Sequence, residues 1–287
     1  MGQLKKKKKQ IQEPEYFVSA TNQKVLNYKV YNLTKTETIL WFLVAFAIGA
    51  AVAYLFYGGI GKDEYRNATT VTYVCNTIFM VGAGLASGRF FLPIRKEQII
   101  QKRLKLLYKQ FVDLLESLST SISSGKNVPH AFMDAKKDLL IQYPADAHII
   151  NEVDQIIAGF EHNIAIEDML VDFGKRSGIK DIYNFGKVFE TAYRKGGNIK
   201  DIIRSTNEII SDKMSIELEI QTKMTSNKNE QNLMVFMPIV IVGMIKFMGS
   251  DFADNFTSPT GIISTTLGVG AFILSYFVGK AVMKIEV

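Results

Sequence analysis

The sequence has few of the residues that usually carry chemistry: one cysteine, three histidines and one tryptophan among 287 residues. Cys75 stands alone inside an apolar run, which excludes an intramolecular disulfide framework and a cysteine-based metal cluster. The histidines have no partners at a metal-ligand spacing, so we expect them at or near the surface and expect no bound metal. They are His130, His148 and His162.

Motifs of nucleotide chemistry are also missing. The glycine-rich stretch Gly82–Gly88 lacks the Lys-Ser/Thr ending of a phosphate loop and lies inside an apolar run. Neither a protein-kinase signature nor a nucleophile elbow occurs. Carboxylates such as Glu161, Glu167, Asp168 and Asp172 fall at helical spacings typical of a solvated face. We therefore expect neither catalysis nor a cofactor, and a partner would have to hydrolyse ATP for any energy-driven process.

The excess of positive charge, +6 from 34 basic and 28 acidic residues, is concentrated in an N-terminal tail and beside apolar runs. This distribution follows the positive-inside rule of membrane proteins. Nucleic-acid-binding proteins usually add interleaved aromatic residues or a recognisable module, and the sequence has neither. The charge therefore favours a membrane protein and no nucleic-acid partner.

Residues 1–37 are polar, rich in lysine and without a sustained apolar period. This composition predicts a cytoplasmic tail that is mostly disordered or only loosely attached. Its lysine run could attract anionic lipid headgroups, or it could be a solvated topology signal without a partner. The membrane-surface candidates are Lys5, Lys6, Lys7, Lys8 and Lys9.

Four apolar runs are long enough to cross a bilayer as helices. They are Thr38–Tyr57, Val71–Leu92, Leu233–Gly249 and Gly261–Met283. The sequence therefore predicts an all-α polytopic membrane protein, in which two N-terminal and two C-terminal transmembrane helices flank a cytoplasmic antiparallel helical bundle. The predicted domains are a tail (1–37), a transmembrane hairpin (38–92), a cytoplasmic helical domain (93–232) and a second transmembrane hairpin (233–287).

The connectors within the two pairs of runs carry few basic residues: Lys62 and Arg66 in the first and none in the second. By the positive-inside rule both connectors face outward, which leaves the tail, the middle segment and the C-terminus in the cytoplasm. Lys246, near the end of the third run, is an intramembrane charge and hence a functional candidate. Because polar residues follow it closely, snorkelling to the interface is the simpler interpretation.

Small residues recur at four-residue spacing in the first two runs. Such spacing lets helix backbones approach closely in lipid, although small residues are common in membrane helices in general. The residues are Ala45, Gly49 and Ala53 in the first run, and Gly84 and Gly88 in the second.

The middle segment has the apolar periodicity of helices and no strand-like alternation. Apolar residues from Ile100 to Ile122 form a single stripe, and Gly125 ends that helix as a C-cap glycine. Asn127 and Pro129 then begin a second helix, because asparagine caps a free amide and proline suits the first turn. Further helices are predicted over 148–160, 165–175 and 180–194, and from Asn198 past residue 224.

Three asparagines of the middle segment recur at nearly even intervals. Asn127, Asn163 and Asn198 each precede a valine or isoleucine, and each stands close to a turn at the start of an apolar helix face. Such a period equals the length of a helical hairpin and is typical of a repeat. Three helix starts in a bundle could also fall at even intervals by chance.

Two stretches place glycine before a polar residue and an apolar helix: SSGKNVPHAF (Ser123–Phe132) and YRKGGNIKDII (Tyr193–Ile203). A long predicted helix then leads from Ser205 into the third run at Pro238. Together with the order of the spans, these stretches resemble the type II secretion F family, specifically the tight adherence (Tad/Flp) pilus platform proteins. Lys126 and Asn127 depart from that pattern, since a hydrophobic or small residue is common there.

The resemblance implies a multi-pass scaffold in the plasma (inner) membrane of a bacterium. Such a scaffold would bind a cytoplasmic secretion ATPase and transmit its motion to pilin subunits, with a paralogous platform protein and as a homo- or hetero-oligomer. Gly197 is expected to supply the left-handed helix ending of the second stretch. The candidates for structural roles or partner contact are Gly125, Asn127, Asn163, Gly196, Gly197 and Asn198.

Two other classes of function remain open. A small transporter would need polar residues at mid-bilayer depth, and the apolar runs offer little beyond Asn76 and Lys246. A membrane-anchored adaptor or signalling protein would have the same layout of spans and helices.

Overall fold

The computed structural model describes residues 14–18, 24–62, 65, 67–248 and 255–282, and the candidate Lys5–Lys9 lies outside them. Within the described residues the chain is helical, apart from one two-stranded antiparallel sheet. The strands are β1 (Tyr16–Val18) and β2 (Lys24–Leu26). The helices are α1 (Lys35–Tyr57), α2 (Thr70–Ser123), α3 (Val128–Gln142), α4 (His148–Glu161), α5 (Ile166–Ser177), α6 (Lys180–Lys195), α7 (Ile199–Met248) and α8 (Pro259–Val282).

The chain divides into two compact units. We call them the helical unit (Met1–Asn32 and Lys96–Met214) and the apolar unit (Leu33–Arg95 and Ser215–Val287). The helical unit ends at Met214, earlier than the boundary near residue 232 that the sequence predicts. The hydropathy change at residue 232 therefore lies within the apolar unit.

The apolar unit contains the predicted spans. Among the described residues, four helices are long and apolar enough to cross a membrane: α1, α2, α7 and α8. α2 continues through Pro93 and α7 through Pro238, so neither proline ends its helix. The prediction of four candidate membrane-spanning helices is confirmed at the level of length and composition.

Small residues bring α1 and α2 together, as their spacing predicts. Ala45 and Ala53 are buried in this contact, and the Ser87 hydroxyl donates to the Ala45 carbonyl oxygen over 2.8 Å. A Cβ placed on Gly84 would lie 2.6 Å from the ring of Phe46. The missing side chain of Gly84 therefore leaves room for the Phe46 ring of α1.

Replacing Gly84 with valine is expected to lower the thermal stability of the detergent-solubilised protein, because the added carbons would displace the Phe46 ring. Overpacking of this kind typically costs about 1–3 kcal/mol. Gly82 is the matched control, since a Cβ there meets nothing within 4 Å. Thermal unfolding followed by circular dichroism should give a clearly lower midpoint for Gly84→Val than for Gly82→Val. Equal midpoints would contradict close packing at Gly84.

Lys246 lies near the end of α7, where its amine donates to the carbonyl oxygen of Gly58 over 3.2 Å. Gly58 follows α1 directly and begins the polar connector to α2. The side chain thus reaches a polar backbone group at the end of a span, in agreement with the snorkelling interpretation.

The core of the helical unit lies on the stripe predicted for α2. Leu107, Phe111, Leu114 and Leu118 are fully buried. Leu104 and Ile122 pack at the margins of the same core. The prediction of this stripe is confirmed.

α5 and α6 form the closest helix pair of the helical unit, and two glycines permit it. A Cβ on Gly174 would lie 2.5 Å from the Cα of Tyr183, and one on Gly186 would lie 2.9 Å from the carbonyl oxygen of Leu170. Backbone therefore packs against backbone, which no larger residue would permit at this distance.

The prediction of a loosely attached tail is wrong for residues 24–31. Asn27 and Tyr28 are at most 1% exposed, and Val25 is buried with them. The polar composition was misleading because a few well-placed contacts hold this segment. We call Lys24–Tyr31 the strap.

Candidate functional site

Three turns contain all six candidate residues for partner contact. The turns follow α2, α4 and α6, at residues 124–127, 162–165 and 196–198. All six candidate residues are exposed in these turns. Exposure is the first requirement of a docking surface.

Each of these helices ends with a residue in the left-handed conformation: Gly125 (φ 91°), Asn163 (φ 58°) and Gly196 (φ 71°). After each, the next amide donates back to a carbonyl five residues earlier: Lys126 to Ser121, Ile164 to Gly159, and Gly197 to Ala192. This is the hydrogen-bond pattern of a Schellman ending. The chain therefore makes the same turn three times with little sequence identity.

The next helices begin with the predicted caps in two of the three cases. The side-chain oxygen of Asn127 accepts from the amide of His130 over 3.1 Å, with Pro129 in the first turn of α3. Asn198 likewise accepts from the amide of Asp201 over 3.4 Å. Both contacts satisfy amides that the helix leaves free.

Asn163 does not begin a helix; it ends α4, and the residue that precedes α5 is Ala165. The equivalent helix starts are thus residues 127, 165 and 198, so the even spacing of the three asparagines does not mark equivalent positions. Asparagine tolerates the left-handed conformation better than most residues, which is why it serves here in the place of glycine.

The expected role of Gly197 is also wrong. Gly196 has the positive φ, whereas Gly197 does not. A Cβ on Gly196 meets nothing within 4 Å, and one on Gly197 would lie 3.2 Å from the Cβ of Ala192. A sequence of two adjacent glycines does not reveal which of them takes the left-handed position.

Replacing Gly196 with alanine is expected to cost about 1–2 kcal/mol, because an L-residue pays that much in the left-handed region. Gly197→Ala should cost less, since only a small shift of Ala192 is needed. Asparagine at residue 196 should recover part of the loss. Chemical unfolding of the three variants in detergent would measure this order, and a greater loss for Gly197→Ala would contradict it.

The helices alternate in direction, which places the three turns at one end of the helical unit. Lys136 of α3 pairs with Asp154 of α4 over 2.6 Å, and Arg194 at the end of α6 pairs with Asp168 at the start of α5 over 2.6 Å. At the opposite end, Tyr143 donates to Asp113 of α2. We call the end formed by residues 124–127, 162–165 and 196–198 the turn end.

Asp181, near the opposite end, joins three helices. It accepts hydrogen bonds from Tyr108 of α2 and from Lys213 of α7, each over 2.8 Å. α2 and α7 are the two helices that continue into candidate membrane spans. Within the helical unit, one carboxylate in the first turn of α6 thus ties them together.

The strap binds the end of the helical unit opposite the turn end. The Tyr28 hydroxyl donates to Glu152 of α4 over 2.7 Å, and Glu152 makes a bidentate pair with Arg176 of α5 at 2.7 and 2.6 Å. Burial, together with the charge of Glu152, raises the pKa of Tyr28 well above its ordinary value, so the phenol remains a hydrogen-bond donor.

Sequence reasoning missed this buried cluster, because its hydrogen-bonded pairs lie 124 and 24 residues apart along the chain. The sequence contains a weak indication of the cluster, because Glu152 and Arg176 stand at otherwise apolar positions of α4 and α5. His148 packs edge-on against the Tyr28 ring at 5.4 Å and is half-buried, which agrees with its expected boundary position.

The apolar unit has a groove of about 950 Å³. Its walls come from α1, α2, α7 and α8 and include Val44, Ile48, Pro238 and Phe272. Glu230 and Gln231 of α7 also line it. Such a groove offers an apolar surface to a hydrophobic ligand within the membrane.

Among the described residues, no three His, Cys, Asp or Glu side chains come together to hold a metal ion. The exposed turns, the buried cluster and the apolar groove are the features available for a functional assignment. Comparison of this chain with protein-family models, with curated proteins and with solved structures gave no match.

Proposed function

We propose that this chain is a membrane platform protein of a Tad/Flp-like pilus or a type II secretion-like assembly machine. The observation that carries the proposal is the turn end, where three identical helix endings, the Gly-Gly-Asn turn among them, are exposed together. This helical unit is flanked in sequence by two pairs of candidate spans. The resemblance in Ser123–Phe132 and Tyr193–Ile203 supports the same assignment.

In this proposal the turn end binds a cytoplasmic secretion ATPase. The platform itself is not an enzyme, and the ATPase supplies the energy. Its force would pass along α2 and α7, which Asp181 holds together, as a rigid-body displacement. The apolar groove would hold the hydrophobic helix of a pilin subunit before its extraction, and a paralogous platform protein would complete the assembly.

The proposed location is the plasma (inner) membrane of a bacterium, with both termini and the helical unit in the cytoplasm. Cysteines introduced at exposed Lys62 and exposed Lys126 provide the test of orientation, after Cys75 has been replaced with serine. In intact cells, a membrane-impermeant thiol reagent should label residue 62 and should label residue 126 only after lysis. The reverse pattern would contradict the proposed topology.

Co-purification tests the partners. The tagged full-length protein, extracted from its native membrane, should capture a hexameric ATPase and a pilin. Replacing exposed Lys195 and Lys200 with glutamate at the turn end should reduce ATPase recovery at least tenfold. The same charge change at exposed Lys109 and Lys180, at the opposite end, is the matched control and should preserve it.

Two outcomes would contradict the proposal. Equal loss of the ATPase in both pairs of variants would exclude the turn end as its binding surface. Capture of neither protein, together with solute flux through liposomes that contain the chain, would identify a transporter instead.

A further inference from the structure

Several contacts hold the strap along its length. The amide of Tyr28 donates to the carbonyl oxygen of Arg176 over 3.2 Å. Arg103 of α2 donates to the carbonyl oxygen of Val30 over 3.2 Å, and its guanidinium lies 5.1 Å from the ring of Tyr31. Val25 and Tyr28 are the buried apolar anchors.

The strap covers an ion pair formed by the helices. Glu152 and Arg176 come from α4 and α5, and their bidentate contact involves no strap atom. The strap adds the Tyr28 hydroxyl to Glu152 and the Leu26 carbonyl oxygen to Arg176. Water can replace both contacts when the strap leaves, so no charge would be left buried and unpaired.

Local opening is therefore less costly for the strap than for the helices beneath it. Segments with few buried apolar contacts open without global unfolding. The strap contributes Tyr28 to the hydrophobic core and packs Leu26 against it, whereas the helices contribute the other residues of that core, including Leu107, Phe111 and Phe132. The strap is therefore expected to open without the helices.

The strap is also close in sequence to the first candidate span. Asn32, Leu33 and Thr34 separate Tyr31 from Lys35, the first residue of α1. The four Cα–Cα steps from Tyr31 to Lys35 reach at most about 14 Å. A larger displacement of α1 would therefore pull on the strap.

We propose that the strap is a releasable latch, docked over Glu152 and Arg176 when α1 is at rest and pulled away when α1 is displaced. Release would open the face of α4 and α5 that contains this ion pair. The latch requires only that α1 moves, so it does not rest on the assignment to a pilus machine.

Hydrogen–deuterium exchange of the full-length protein in detergent tests the first part of this proposal. Amides of residues 24–31 should exchange at least tenfold faster than those of residues 131–139 in α3. Tyr28→Ala should accelerate strap exchange at least tenfold further and change exchange in α3 less than twofold. Tyr28→Phe, which loses only the bond to Glu152, should have an intermediate effect, and Tyr73→Ala, at an exposed residue of α2 outside the helical unit, should have none.

Equal amide exchange rates in the strap and in α3, in the wild type or after Tyr28→Ala, would overturn the proposal. The strap would then unfold together with the core. If Tyr28→Ala fails to fold, the ratio of strap exchange to α3 exchange in the wild type and in Tyr28→Phe still shows whether the strap opens separately or together with the core.

Changing the length of the linker to α1 tests the second part. Deleting Asn32 and Leu33 should increase strap exchange at least tenfold, because a shorter linker transmits a smaller displacement of α1 to the strap. Inserting four Gly/Ser residues after Asn32 should leave strap exchange within twofold of the wild type. Unchanged exchange in the deletion variant would overturn the coupling between α1 and the strap.

Discussion

Arg176→Met is expected to lower the free energy of unfolding by about 3–5 kcal/mol, the cost of leaving one member of a buried ion pair without its partner. Glu152 and Arg176 have side chains that are 3% and 6% exposed. Removal of the guanidinium leaves the Glu152 carboxylate with the Tyr28 hydroxyl alone. Arg176 also donates to the carbonyl oxygen of Leu26 and to Asp172. Because Asp172 is half-exposed, water can replace the guanidinium there.

The double variant Arg176→Met/Glu152→Gln separates the buried charge from simple loss of packing. It removes both charges and keeps an acceptor for Tyr28, so most of the lost stability should return. Chemical unfolding in detergent, followed by circular dichroism, gives the comparison. A double variant no more stable than Arg176→Met would mean that packing, and not the unpaired carboxylate, causes the loss.

Gly174→Val is expected to cost about 3 kcal/mol, at the upper end of the usual range for overpacking. The new side chain would meet the Cα and amide nitrogen of Tyr183 at 2.5 and 2.9 Å. A backbone cannot rotate away as a side-chain tip can, so α5 and α6 would have to separate.

Lys175→Val is the matched control for Gly174→Val. It places the same β-branched residue at the next position of α5, where the side chain is exposed. Thermal unfolding should therefore give a much larger decrease in midpoint for Gly174→Val than for Lys175→Val. Similar decreases would indicate that helix propensity, and not the contact with Tyr183, determines the effect.

Local patterns predicted the helices of this chain well. The apolar stripe of α2, the left-handed Gly125 and the cap at Asn127 all depend on residues within about two turns of one another. Such features follow from helical periodicity and from free backbone amides at helix ends. Four long apolar helices likewise follow from composition alone.

The predictions from the sequence were wrong where identical residues take different conformations. Asn163 resembles Asn127 and Asn198 in the sequence, yet it ends a helix. Gly197 resembles Gly196, yet only Gly196 has a positive φ. The choice depends on which residue leaves the helix first, and that is decided by packing of the preceding turn against its neighbours.

The sequence by itself determined the helical class, the four candidate membrane spans and the polar segment between them, because each depends on the hydropathy of residues close in the chain. Only the tertiary structure decided that the strap is docked, that Glu152 and Arg176 form a pair, and that three turns share one end. These features join distant residues, and their stability comes from burial and mutual geometry, which no local pattern records.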